Sequence, residues 1–233
     1  MSNNDIPFPE GRLVIHQPSI KEISLIGEES FHLGSHYLNF SLDILSEQDK
    51  SRLGNKNEFD IFMSMIKQRD NKQFKKYISE VLTIIFPSYL LEWKEDRILL
   101  KRNDGWEGFI DTYNFTEFKD ILSNMFRMKE MKSENDYNPA DAHAAKIAEK
   151  LRKAKERKAK AEGKSLDNIN ILQKYVSILT VGEQKDMNSL MELTIPQLYD
   201  EFKRFQLKMA NDIHFQAQLA GAQNLQEVDN WME

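Results

Sequence analysis

The segment from Leu193 to Gly221 constrains the fold more than any other part of this sequence. Thr194 and Gln197 have the spacing of a capping box, and Pro196 suits the first turn of a helix. Apolar residues then recur along one helical face: Ile195, Leu198, Phe202, Phe205, Met209, Ile213, Ala217 and Ala220. Gly221 suits the end of the helix, since glycine adopts the left-handed conformation at low cost. The pattern predicts one long amphipathic helix whose apolar stripe is mostly core.

Apolar residues at helical spacing recur in most of the remaining chain. The segments with this pattern are 20–26, 59–66, 74–85, 115–126 and 169–191. Pro87 ends the third of them, because proline has no N–H with which to continue a helix. Residues 97–101 and 107–110 flank an Asp-Gly pair that suits a hairpin turn. We therefore predict a mainly α protein with a small β element, and only nine glycines and six prolines agree with this.

The chain divides into three predicted parts. Residues 1–132 form an N-terminal α+β unit that contains the hairpin, and 168–233 form a helical C-terminal unit. Between them, 133–167 begin with linker composition and continue as a basic helix. Residues 141–164 contain nine Lys or Arg against four acids, so this segment carries +5 within a chain whose net charge is −5.

Composition and sequence pattern indicate the cellular compartment in which this protein works. The chain has no cysteine, which excludes disulfides and thiolate metal sites and favours a reducing environment. No apolar run approaches the roughly 20 residues that a membrane span needs, and the first residues lack the pattern of a secretion signal. We expect a cytoplasmic protein without a membrane association.

The sequence lacks strong signatures of catalysis. Glu28, His32 and His36 could share a helix face, but Gly34 weakens that turn, and solvated or capping roles suit them better than a metal. Glu92 and Lys94 supply only half of a metal-dependent nuclease pattern. No nucleophile elbow, phosphate-binding loop or dinucleotide fingerprint occurs. We predict a protein that is not an enzyme and that holds no cofactor and no metal.

The basic helix has three interpretations, which remain open. Its charges surround the helix and alternate with acids, as in a solvated connector. It could also contact nucleic-acid phosphates or an acidic protein surface, although no aromatic residue lies between its charges to stack on bases. The candidate contacts are Lys150, Arg152, Lys153, Arg157 and Lys158.

Aromatic residues near the end of the chain are candidates for binding a protein partner. Phe215 and the tail residues Trp231 and Met232 are the tentative contacts, because aromatic and methionine side chains often anchor interfaces.

Several stretches of the sequence resemble tail-assembly proteins of phages that infect Gram-positive bacteria. They are His16–Ile23 with Gly27–Glu29, Ile147–Leu151, Tyr175–Gly182, Leu193–Phe205, Ala217–Ala222 and Val228–Met232. The C-terminal half is similar to the tail-assembly chaperone group in particular.

The resemblance implies a non-catalytic helper in virion morphogenesis. Such a chaperone holds the tape-measure protein in solution and helps to deliver tail-tube subunits around it. Two alternatives are a nucleic-acid-binding protein that acts through the basic helix and a structural protein of the virion. A chaperone would be absent from finished particles, whereas a structural protein would be present.

Overall fold

The computed structural model describes residues 5–42, 57–68, 72–128 and 170–222. The chain divides into two compact units. The first comprises Met1–Pro18 and Glu22–Asn170, and the second comprises Ser19–Lys21 and Ile171–Glu233. Within the described residues, no helix has the length and apolar character needed to cross a membrane.

The first unit begins with a hairpin. Strand β1 (Asp5–Phe8) pairs antiparallel with β2 (Leu13–His16), and a 3₁₀ turn over Pro9–Gly11 joins them. Pro7 lies within β1, although proline cannot donate a hydrogen bond to a central ladder. A two-stranded sheet consists of edge strands alone, and there proline is tolerated.

In the described part of residues 17–88, four helices follow the hairpin. They are α1 (Ile20–Ile26), α2 (Glu28–Leu38), α3 (Glu58–Lys67) and α4 (Lys72–Ile85). Gly27 separates the first two with a φ of +85°, a conformation that glycine adopts readily. α2 packs closely on α4, where Tyr37 and Phe74 have ring centroids 4.6 Å apart.

A three-stranded antiparallel sheet follows α4. Its strands are β3 (Tyr89–Trp93), β4 (Arg97–Arg102) and β5 (Glu107–Asp111), with β4 in the centre. Alternate residues of β4 and β5 are fully buried, including Ile98, Leu100 and Ile110, so one face of the sheet packs on the core. The hairpin between β4 and β5 confirms the turn predicted at Asp104 and Gly105.

Helix α5 (Phe115–Met125) completes the described core of the first unit. Its Phe115 ring lies 5.2 Å from those of both Phe59 and Phe62. Lys119 is also buried, and its ammonium group forms an ion pair with Glu58 and donates to the Phe40 carbonyl at 3.1 Å. These interactions satisfy a charge that would otherwise be costly to bury.

The second unit contains helices α6 (Ile171–Glu183), α7 (Met187–Met191) and α8 (Ile195–Leu219). The prediction of a mainly α protein with a small β element is confirmed in the described residues. The proposed linker and basic helix at 133–167 lie outside the described residues.

Candidate functional site

The start of α8 is fixed by capping and by a neighbouring segment of the same unit. The Thr194 N–H donates to Gln197 Oε1 at 2.9 Å, and the Thr194 side chain accepts in return, which completes the predicted capping box. Ser19 forms a β-bridge with Thr194, and the Ile20 N–H donates to the Leu193 carbonyl at 2.8 Å. The first turn of the long helix is therefore anchored by side-chain and backbone bonds together.

The first half of α8 packs on α6. Leu198 is fully buried, and the Phe202 ring stacks on Tyr175 with centroids 3.9 Å apart. Further along, Phe205 lies against Gly182, where an added Cβ would be only 2.6 Å from the Phe205 ring. The small residue on α6 thus lets the aromatic side chain approach the helix backbone.

An ion-pair cluster lies between the end of α6 and the middle of α8. Lys185 pairs with Glu201 and, at 3.0 Å, with Glu183, while Lys208 lies 3.9 Å from Glu183. Burial acts to lower the pKa of Lys185, but hydrogen bonds to the two carboxylates outweigh it, so the pKa is raised. Lys185 therefore remains charged, and the cluster marks the end of the packed portion of α8.

Beyond this cluster, α8 continues past the end of α6. Glu183 is the last residue of α6, and α8 extends eleven residues beyond Lys208, or about 16 Å at 1.5 Å per residue. Four large apolar residues of this extension are exposed. Their relative solvent-accessible surface areas are 43% for Met209, 61% for Ile213, 60% for Phe215 and 74% for Leu219. We call these four residues the distal apolar surface.

The distal apolar surface has two strips. At about 100° per residue, Met209 and Ile213 continue the face on which Phe202 and Phe205 pack. Phe215 lies about a third of a turn away from this strip and is followed by Leu219 one turn later. At the same 100° per residue, the exposed polar residues Asp212 and Gln216 lie between the two strips, so the surface consists of two separate apolar strips.

The structure corrects part of the sequence-based interpretation of this helix. The helical stripe predicted Met209 and Ile213 to be core residues, which is wrong, because α6 ends before it reaches them. Leu219 was missed, although its spacing of four from Phe215 places both on one face. Phe215 itself is exposed. The tail candidates Trp231 and Met232 and the five basic-helix candidates (Lys150, Arg152, Lys153, Arg157 and Lys158) lie outside the described residues.

The two weaker candidates for chemistry were a metal site near Glu28 and the nuclease-like pair Glu92 and Lys94. Glu28 is buried at the start of α2, and no three His, Cys, Asp or Glu side chains among the described residues are arranged to hold a metal ion. Glu92 lies on edge strand β3, where Lys94 and Lys101 contact its carboxylate at 2.8 and 3.0 Å. Hydrogen bonds from these two lysines lower its pKa. Both carboxylate oxygens of Glu92 are thus already paired with cations.

Comparison with known protein families gives a match that contains α6 to α8. Residues 160–233 match the family model described as the second domain of YomV, a protein of a Bacillus phage region. This part of the chain is therefore similar to a phage-associated domain. The searches of curated proteins and of solved structures found no match.

Proposed function

We propose that this protein is a non-catalytic phage tail-assembly chaperone. Its client is the tape-measure protein, and it delivers tail-tube subunits around that client during assembly in the host cytoplasm. The observation that carries the proposal is the distal apolar surface, four large apolar side chains that α8 exposes within the part of the chain similar to a phage-associated domain.

The distal apolar surface has the chemistry that a helical client requires. A long helical protein with an apolar seam is prone to associate with itself until that seam is covered. An amphipathic helix binds such a seam through apolar residues at spacings of three and four. Met209 and Ile213 have this spacing, and so do Phe215 and Leu219, so each strip fits one client helix or one side of a helical pair.

The rigid base of α8 favours binding. Stacking of Phe202 on Tyr175 and the capping box at Thr194 hold the first half of the helix in place. A helix that is already formed loses little conformational entropy when it binds. The binding energy therefore comes mainly from the apolar area that the client covers.

The proposal is tested by copurification with the tail proteins of the phage. A tagged protein is coexpressed with the tape-measure protein, and variants Ile213→Ser and Phe215→Ser are compared with the control Gln218→Ser. Gln218 lies on the same turns but on another face, and its side chain bonds only to His214 in the described residues. Full burial of an isoleucine or phenylalanine contributes about 1.5–3 kcal/mol. Because Ile213 and Phe215 are 61% and 60% exposed, a client that covers them gains about 1–2 kcal/mol from each, and each test variant weakens binding by about five- to thirtyfold.

Three results would contradict the proposal. The first is failure to bind either the tape-measure or the tube protein. The second is equal binding by Ile213→Ser, Phe215→Ser and the control. The third is recovery of the protein from mature particles, which identifies a structural virion component instead.

A further inference from the structure

A cavity of about 440 Å³ lies in the first unit, between helices α3 and α4 and the end of strand β3. Its volume is within the range of roughly 300–1,000 Å³ typical of small-molecule sites. The residues that line it are Met63, Ile66, Lys67, Lys75, Trp93, Lys94 and Glu95. The lining combines an apolar floor, one indole ring and three ammonium groups with a single acid.

The floor of the cavity offers a place for a flat apolar group. Met63 and Ile66 are buried on α3, and Trp93 is half-buried at the end of β3. The Lys75 ammonium lies 5.5 Å from the centre of the Trp93 ring, which is within cation–π range. An indole can stack on a planar ring of a ligand, and the apolar residues beside it exclude water from that interaction.

The cations around the cavity are incompletely compensated. Lys94 pairs with Glu92 at 2.8 Å, and Lys67 donates one hydrogen bond to the Glu95 carbonyl at 3.0 Å. Of the carboxylates in the described ranges, none lies within ion-pair distance of Lys67 or Lys75. Two ammonium groups with free N–H donors therefore border the same small volume as the indole.

We infer that this cavity binds a nucleotide, whose base takes the place of the Lys75 ammonium on the Trp93 ring and whose phosphate pairs with Lys67 and Lys75. A phosphate monoester carries close to two negative charges in one group and so matches two lysines at one small site. The carboxylates of an acidic peptide carry one charge each and are separated by backbone, which suits an extended groove better than this cavity. The nucleotide is either free or part of a single strand, since both present a base beside a phosphate.

This site is separate from the distal apolar surface. It lies in the first unit and involves none of the residues of α8. The chaperone proposal and the nucleotide proposal can therefore fail independently.

The test is calorimetric titration of the full chain with adenosine monophosphate and with a short oligothymidylate. The variants are Trp93→Leu and the double change Lys67→Gln with Lys75→Gln. The control is Lys76→Gln, which removes an exposed α4 lysine that pairs with Glu80 outside the cavity. We expect both test variants to weaken binding about tenfold and the control to bind normally.

The two probes distinguish the sources of the ligand. Binding of adenosine monophosphate supports a site for free nucleotides, and binding of the oligonucleotide alone supports single-stranded nucleic acid. For the oligonucleotide, the double variant also makes the plot of log affinity against log salt shallower, by about 0.7 for each lysine–phosphate interaction that the substitutions remove.

Several outcomes would overturn the inference. They are the absence of binding to both probes, binding that all three variants leave unchanged, and tighter binding of an acidic peptide with the same loss in the lysine variant. Oligonucleotide binding that depends on Lys150, Arg152 and Lys153 but not on Lys67 and Lys75 would also overturn it.

Discussion

Replacement of Gly34 by alanine gives a sharp test of how the first unit packs. Gly34 lies buried in the middle of α2, directly against α4. A Cβ added there would be 2.6 Å from Val81 Cγ2, 2.9 Å from the Tyr77 carbonyl carbon and nearer still to the Tyr77 carbonyl oxygen. A rotamer change can move Val81, but the Tyr77 carbonyl belongs to the backbone of α4 and moves only with that helix.

Two opposing effects set the magnitude for Gly34→Ala. Alanine favours a helix over glycine by about 1 kcal/mol. Overpacking typically costs about 1–3 kcal/mol, and contact with a backbone atom belongs in the upper part of that range. We therefore expect a net loss of about 1–2 kcal/mol in the free energy of unfolding, whereas helix propensity alone predicts a gain.

The assay is urea unfolding of Gly34→Ala and of His32→Ala, an exposed substitution on the same helix. With Trp231 of the second unit replaced by phenylalanine in every variant, fluorescence reports on the first unit through Trp93 and Trp106, and circular dichroism reports on total helix content. The control should remain within about 0.5 kcal/mol of the original protein. Equal or greater stability of Gly34→Ala would refute the close approach of α2 to α4.

Three further substitutions test other parts of the fold. Thr194→Ala removes the capping box of α8 and should lower the free energy of unfolding of the second unit by about 1 kcal/mol, whereas Thr194→Ser should keep the stability of the original protein. Both variants are compared by thermal unfolding, and an equal loss in the two would refute the capping role. Gly105→Ala forces a φ of +85° on an L residue at an open position, and should cost about 1–2 kcal/mol, with less loss for Gly105→Asn; no loss in urea unfolding would contradict the turn. Burial acts to raise the pKa of Glu58, but Lys119 and other hydrogen-bond donors lower it below 4.5. The ion pair therefore stabilises the fold fully above pH 4.5, and this stability is lost as the pH falls through the lowered pKa. Between about pH 6 and about pH 3, the free energy of unfolding of Glu58→Gln should fall less than that of the original protein. Parallel losses in the two proteins would refute the contribution of the pair.

Local signals in the sequence predicted most of the helices correctly. Residues 74–85 have both the apolar stripe and a proline just beyond it, and α4 ends at Ile85. Thr194, Pro196 and Gln197 marked the start of α8 because capping depends only on residues within one turn. The turn at Asp104 and Gly105 is local for the same reason.

Two of the edge strands were less visible in the sequence. β1 contains a proline, and β3 follows a proline turn, so neither segment has a strong strand signal of its own. Each is a strand because a neighbour supplies its hydrogen bonds: β2 for the first and β4 for the second. Edge strands depend on such partners more than on intrinsic propensity.

The candidate sites also combine features that local sequence signals predict with features that depend on neighbouring elements. The sequence singled out Phe215, yet the stripe through Met209 and Ile213 has the same spacing as the buried stripe before it. Periodicity identifies the face of a helix, but it does not show where the opposing helix ends. The cavity was not foreseen either, because Lys67, Lys75 and Trp93 come from three elements that only folding brings together.

The sequence by itself determined that this protein is mainly helical, where its longest helix begins and which of its faces are apolar. These properties follow from spacings within a few residues, which backbone geometry converts directly into structure. Only the tertiary structure decided which apolar residues remain exposed on α8 and which lysines border one cavity. Both depend on where separate elements end and how closely they approach one another, and no local pattern encodes those distances.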